Sequence, residues 1–344
     1  MSDQAVEPST PALSLNLSMY RDMVRTRELN VRMFALNRQG RVPFAISGTG
    51  HEAAQVGSAY AIKRGTDWVL PYYRDVGVMI SLGMAPRDVM LHLYARADDP
   101  NSGGRQMPNH WSWPEARVVT RSSLIAANLP HAAGIAYASR LRGLDEVSIV
   151  YFGEGATSEG DFHEAMNFAA IHRLPVVFFC ENNGYAISES TEKQMPVRHV
   201  ADRARAYDMV GVTVDGNDLL AVHQTTRWSV EECRRGHGPS LIEAITYRTD
   251  PHTTADDDRR YRPREEVEEW ARNDPLDRFR DVLMDEGTLS AEENEQLLAA
   301  ARSEIDDAVE QAEHAPDPTP ESALRYVFHE EHEESVGHAE GEQR

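Results

Sequence analysis

The chain reads as an α/β protein: a doubly wound, mostly parallel sheet with helices on both faces, followed by a helical C-terminal region. Three observations predict this. Apolar runs rich in β-branched and aromatic residues, over 147–152, 176–179 and 241–247, alternate with segments whose apolar residues recur at helical spacing. Strands joined through helices must pair in parallel, with a right-handed crossover. Beyond Arg262 the strand-type runs cease and only helical spacing remains.

From the N-terminus, residues 1–16 are polar and proline-bearing and read as a disordered tail. Tyr20, Met23, Val24, Val31, Phe34 and Ala35 mark an amphipathic helix ending near Gly40. A glycine-rich turn, a helix over 51–63 and the short strand Trp68–Leu70 follow. Pro86 opens a helix to about Tyr94, because proline at the first helical position sacrifices no internal hydrogen bond. Residues 96–123 read as loop, and a helix over 128–141 leads into the strand that Gly153 stops. Phe162, Ala165, Met166 and Ala169 predict the next helix, with Asp161 as cap and Glu164 as its N3 partner. Val176–Phe179 forms the second strand, broken by Glu181, Asn182, Asn183 and Gly184. Strand 212–214, helix 218–235 and strand 241–247 complete the alternation. Helices then fill 264–314, interrupted at 273–275 and 287–288, and Ser290 with Glu293 forms a capping box for the last. Leu297, Ala301, Ile305, Ala308 and Ala312 line one side of it, and the proline-rich segment 315–320 stops it. The expected organisation is a tail over 1–16, an α/β domain over 17–262, a helical region over 263–328 and a charged tail over 329–344. His329, His332 and His338 sit among glutamates in that tail and read as solvated residues, not metal ligands.

Composition narrows the function. A net charge of −21 argues against nucleic acid and anionic membrane as partners. No run of 18 apolar residues exists, so no membrane span is expected, and the N-terminal residues lack a signal peptide's basic and apolar parts. Cys180 and Cys233 are the two cysteines, so no disulfide framework is needed and a cytoplasmic location is expected. Lysine occurs at Lys63 and Lys193 alone among 35 basic residues, which fits either adaptation to high salt or a GC-rich coding bias with acidic tails.

The chemistry concentrates in YFGEGATSEGDFHEAMNFAAIHRLPVVFFCENNGYAIS, residues 151–188. Two parallel strands joined by a helix place both following turns at the carboxyl edge of one sheet, where doubly wound folds bind ligands. Glu154 in the first turn and Asn183 in the second can therefore meet. Carboxylate, amide and turn-carbonyl oxygens suit Mg²⁺, which commonly shares its shell with phosphate oxygens. Gly153 and Gly155 let backbone N–H groups approach such a phosphate. A competing pattern, Gly48-Thr-Gly50-His-Glu-Ala53, fits the dinucleotide fingerprint of a nicotinamide or flavin oxidoreductase. Its context fails, because Asp67 precedes the next strand where the ribose-binding acid should end it.

The glycine–acid–glycine turn followed some thirty residues later by paired asparagines resembles the thiamine diphosphate enzymes and their fold. LPYYRDVG (70–77), NSGGRQMPNHW (101–111), SSLIAANLPHAAG (122–134), VDGND (214–218), YRTDPHTTADDDRRYR (247–262) and PESALRYVF (320–328) look like their counterparts in one family. It is the alpha subunit of the 2-oxo acid dehydrogenases, and the likeness is greatest to the branched-chain type, over about residues 17–328. The resemblance implies that Glu154, Asn183 and the carbonyl of Tyr185 hold Mg²⁺ on the diphosphate, with Tyr73, Arg74, Gly153, Gly155 and Ala156 around it. Ser123 and Ile125 match the backbone that hydrogen-bonds the aminopyrimidine ring, and Tyr72 matches a substrate-pocket position. His252 matches a histidine that approaches the diphosphate and assists acyl transfer to lipoyl, in a loop ordered by Arg248, Asp256, Tyr261 and Arg262.

Several positions depart from the family. Leu124 replaces a common proline and Ala127 a hydroxyl, which puts a monovalent-cation site in doubt. Glu181 stands where mitochondrial branched-chain members have an arginine and is not assigned to phosphate. Thr253 stands where mitochondrial relatives carry a regulatory phosphoserine. The activity implied is oxidative decarboxylation of branched-chain 2-oxo acids, with a pyruvate dehydrogenase alpha subunit as the alternative. A subunit that has lost its chemistry is the remoter reading, opposed by intact Glu154, Asn183, Arg74 and His252. The implied partners are a beta subunit in an α₂β₂ heterotetramer and a lipoyl-bearing acyltransferase component.

Overall fold

A computed structural model describes residues 14–327. The expected tail over 329–344, with its three histidines, lies outside these residues, as does most of the expected N-terminal tail. Helix α1 (Leu15–Arg38) begins inside that expected tail, because Ser14 caps it by accepting from the Leu17 N–H at 3.3 Å. α2 (Glu52–Ala59), β1 (Trp68–Leu70), α3 (Val76–Ser81), α4 (Pro86–Leu93) and α5 (Asn128–Leu141) follow. Next come β2 (Ser148–Gly153), α6 (Gly160–Ile171) and β3 (Val176–Asn182). A small antiparallel pair, β4 (Tyr185–Ala186) and β5 (Glu189–Ser190), precedes α7 (Thr191–Gln194), β6 (Val210–Asp215), α8 (Leu219–Arg234) and β7 (Ser240–Ile245). The chain closes with α9 (Arg264–Ala271), α10 (Pro275–Asp285) and α11 (Ala291–His314).

The main sheet has five parallel strands in the order β1-β2-β3-β7-β6. Successive side chains of a strand point to opposite faces, so a continuous apolar run serves two cores at once. Val69, Ile149, Tyr151, Val177, Phe179 and Ile242 enter one core with α1, α2, α4 and α8. Leu70, Val150, Phe152, Phe178, Cys180 and Leu241 enter the other with α5 and α6. Each fully buried Phe, Leu or Ile stabilises by roughly 1.5–3 kcal/mol relative to exposure. Among the described residues no helix is long and apolar enough to cross a membrane.

The helical C-terminal region packs back onto the first helices. Leu276, Phe279, Leu283 and Ala301 share a core with Met19, Tyr20, Met23 and Val24. Ile305, Ala308, Val309 and Ala312 join the core that holds α1 and α4. The Ser290–Glu293 capping box is present, with bonds of 3.2 and 2.8 Å. Two local expectations are corrected. Helix α6 is capped by Glu159 without a side-chain bond, and Asp161 lies in its first turn, because the preceding 3₁₀ turn Glu154–Ser158 carries the chain past the expected start. Strand β3 continues through Glu181 and Asn182, since pairing with Ala244 and Ile245 of β7 overrides their turn-forming character.

Candidate active site

Glu154 and Asn183 meet at the carboxyl edge of the sheet. Gly153 pairs with Glu181 across β2 and β3, so the two following turns start side by side. Asn182 is anchored by its Nδ2 donating to Glu243 at 2.8 Å and its carbonyl accepting from the Thr246 N–H at 2.8 Å. The next residue then donates its N–H to Glu154 Oε2 at 3.2 Å, and its side-chain oxygen accepts from the Tyr185 N–H at 3.2 Å. Glu154 is 1% exposed, and burial raises its carboxyl above the ordinary range.

These turns border a cavity of about 340 Å³ that gathers every residue expected to touch metal, cofactor or substrate. Tyr72, Tyr73 and Arg74 reach it from the end of β1, and Ser123 and Ile125 from the loop before α5. Gly153, Glu154, Gly155 and Ala156 come from the end of β2, Asn183 and Tyr185 from the end of β3, and His252 from beyond β7. Of the two glycines on this wall, only Gly155 is sterically required. A Cβ on Gly155 would meet Ala186 Cβ at 2.9 Å, whereas one on Gly153 would meet Tyr72 at 3.9 Å and stand in the cavity wall. Ala126 and Ile187, also on the wall, hold left-handed backbone at φ 63° and 58°.

The positive charge is larger than the sequence suggested. Arg74 is 1% exposed and donates to the Ser47 carbonyl at 2.6 Å and toward His252 Nδ1 at 3.3 Å. Arg248, expected to order the loop, is fully buried and itself lines the cavity. It donates to the carbonyl of Ile187 and to Tyr261 Oη, each at 2.9 Å, and toward His252 Nδ1 at 3.2 Å. Arg121 was missed; it is 3% exposed, donates to the Leu124 carbonyl at 3.2 Å and lies over the Tyr73 ring. Among the described residues none of these three arginines forms a salt bridge. No local signal marks Arg121, since a loop arginine is ordinarily a surface residue.

Two guanidinium donors aimed at Nδ1 make that nitrogen an acceptor, so the His252 proton sits on Nε2. Burial, then Arg74 and Arg248, lower its pKa to about 3. The loop is pinned as expected. The His252 N–H donates to Asp256 at 2.8 Å, Tyr261 Oη donates to the same carboxylate at 2.5 Å, and Arg262 bridges Asp258 and the backbone of 248–250. Thr253 Oγ1 accepts from the Ala255 N–H at 3.2 Å within this turn.

Glu181 is not part of the cavity lining. It is fully buried and accepts from Tyr72 Oη at 3.0 Å and Gln55 Nε2 at 3.1 Å, with Asp75 beside it. Burial raises both carboxyls, and the bond from Tyr72 Oη to Glu181 holds the Tyr72 ring against the cavity. Ser123 contacts His110 Nε2 at 2.6 Å, while Leu124 is exposed and Ala127 offers no side-chain donor or acceptor. The fingerprint-like turn at Gly48–Ala53 is not preceded by a strand, which removes the dinucleotide reading.

Known proteins resemble the chain over most of its length. A family described as "Dehydrogenase E1 component" matches residues 20–321. A "2-oxoisovalerate dehydrogenase subunit alpha" of Bacillus subtilis (strain 168) is 50% identical over 312 residues, 91% of this chain and 94% of the relative. A "3-methyl-2-oxobutanoate dehydrogenase subunit alpha" of Mycobacterium tuberculosis (strain ATCC 25618 / H37Rv) is 42% identical over 294 residues, 85% of this chain and 77% of the relative. The "2-oxoisovalerate dehydrogenase subunit alpha, mitochondrial" of Homo sapiens is 38% identical over 315 residues, 91% and 70% respectively.

Proposed function

The chain belongs to the dehydrogenase E1 component family, and from that membership and the site we propose that it is the alpha subunit of a branched-chain 2-oxo acid dehydrogenase that uses thiamine diphosphate and Mg²⁺. The observation that carries the cofactor assignment is a charge imbalance. Arg74 and Arg248 are buried without carboxylate partners, and each keeps an unpaired buried Nε, in a cavity that also holds the buried Glu154. Buried charges are costly unless compensated. A diphosphate chelating a divalent cation compensates both signs at once. Mg²⁺ takes oxygen ligands and commonly shares its shell with phosphate, so the Glu154 carboxylate, an amide oxygen and a backbone carbonyl suit it.

In this reading Glu154, the Asn183 side-chain oxygen and the Tyr185 carbonyl hold Mg²⁺. Tyr73, Arg74, Arg248 and the backbone of 153–156 hold the diphosphate. Ser123 and Ile125 present backbone groups to the aminopyrimidine. Thiamine diphosphate supplies, when bound, the carbon centre at which a 2-oxo acid loses CO₂ and on which the acyl group is carried. His252, neutral with its proton on Nε2, would offer that N–H as a hydrogen bond to the lipoyl acceptor during acyl transfer. Tyr72, held by Glu181, packs against the acid's side chain. The printed names of the relatives favour a branched-chain acid over pyruvate.

The partners follow from the same reading: a beta subunit in an α₂β₂ assembly, completing each cofactor site, and a lipoyl-bearing acyltransferase component. A cytoplasmic location belongs to the proposal too, supported by Cys180 and Cys233 being free and buried. Co-expression with the beta partner tests the whole. Decarboxylation of 3-methyl-2-oxobutanoate and 4-methyl-2-oxopentanoate should exceed that of pyruvate, and the chain alone should be inactive. A preference for pyruvate would overturn the substrate, and full activity of the isolated chain would overturn the two-chain site.

A further inference from the structure

The Gly48–Ala53 turn packs against the backbone of Arg74, whose side chain lines the cavity. A Cβ on Gly48 would meet the Arg74 carbonyl oxygen at 2.6 Å, and one on Gly50 would meet that of Tyr247 at 2.0 Å. The two glycines therefore press the turn against the ends of β1 and β7, and that approach delivers His51. Its ring is fully buried and makes no capping bond, although the residue stands at the N-cap of α2. His51 Nε2 instead lies 3.3 Å from Nδ2 of Asn183, across 132 residues of sequence.

Counting protons decides the direction of that bond. The Tyr185 N–H can only donate, so the Asn183 atom 3.2 Å from it is the amide oxygen. The atom facing His51 is then the NH₂, which also only donates, so Nε2 accepts and the imidazole proton sits on Nδ1. Nδ1 lies toward the backbone of Gly48 and Thr49, without a bond of ordinary geometry. One lone pair of the Asn183 oxygen is used by Tyr185 and the other stays free.

We infer that His51 is a positioning residue that locks the Asn183 amide with its oxygen toward the cation, and so sets the Mg²⁺ affinity of the site. The inference rests on the function proposed above, in which Asn183 is a ligand. Amide torsions are broad and nearly two-fold, so the orientation rests on two contacts, the Tyr185 N–H held by the oxygen and the NH₂ held by His51; without the second the group turns more readily and offers a donor to the cation. Groups that orient metal ligands from behind are worth about 10–100-fold in metal affinity.

The test compares His51→Gln with His51→Asn in the assembly with the beta subunit. A glutamine oxygen reaches the place of Nε2, whereas an asparagine amide stops at the place of Nδ1. Asparagine is itself a favoured helix N-cap, so that variant keeps α2 intact. Calorimetry of thiamine diphosphate binding across a Mg²⁺ series gives the metal midpoint. His51→Asn should raise it by about 10–100-fold, with His51→Gln close to the parent. An unchanged midpoint in His51→Asn, or an equal loss in both folded variants, would overturn the role of His51. Cofactor binding by the parent that ignores Mg²⁺ would instead remove the metal reading itself, and the inference with it.

Discussion

Arg248→Met separates a residue that merely pins its loop from one that waits for an anion. In the cofactor-free protein the substitution removes a fully buried positive charge that faces Arg74 across one histidine nitrogen. At the separation of about 6 Å that this geometry allows, two unit charges repel by roughly 2–3 kcal/mol at an effective dielectric of about 20. Against this relief stand the lost bonds to the Ile187 carbonyl and Tyr261 Oη, each worth about 1 kcal/mol net. The gains and losses nearly cancel, so the free protein should unfold in urea within about 1 kcal/mol of the parent. Binding should suffer far more. A charge-assisted bond worth about 1.5–3 kcal/mol disappears, weakening thiamine diphosphate by roughly 10–150-fold in calorimetry of the assembled enzyme. The pKa of His252, held at about 3 partly by Arg248, should rise, as its ring proton shifts would report. A folded-state value below that of the unfolded chain means stability is lost as pH falls from about 6.5 toward 3. The variant should shorten that window. Unchanged cofactor affinity together with a loss of more than about 2 kcal/mol in the free protein would refute the reasoning and leave Arg248 as a loop pin.

Glu154→Ala should leave unfolding nearly unchanged while abolishing Mg²⁺-dependent cofactor binding, because the removed carboxylate lacks an ion-pair partner among the described residues; unaltered affinity by calorimetry would end its assignment to the metal. His252→Ala should slow acyl transfer to lipoyl by about 10²–10⁴-fold while affecting cofactor binding much less, and near-normal lipoyl acylation would remove it from the chemistry. Gly50→Ala tests the Gly48–Ala53 turn: at φ 94°, with its Cβ 2.0 Å from the Tyr247 oxygen, it should cost more than about 3 kcal/mol in urea unfolding. A loss below about 1 kcal/mol would mean the turn yields easily.

What the sequence determined by itself is whatever depends on neighbours along the chain. The capping box at Ser290 and Glu293, Pro86 at the first position of α4 and the helix Asn128–Leu141 are set within a few residues. So is the strand–turn–helix–strand unit around Glu154 and Asn183, because right-handed crossover leaves its turns one place to go. The tertiary structure alone decided the rest. Insertion of β7 between β3 and β6 depends on pairing across some sixty residues, and it drew Glu181 and Asn182 into a strand that their own preferences would have ended. Glu181 thereby became a buried partner of Tyr72 and Asp75. His51 gained its role from an amide far along the chain. Arg121 and Arg248 became buried cations because the loops around them close over the sheet edge. Burial and pairing are properties of the assembled fold, and they set the electrostatics of this site where local pattern sets its address.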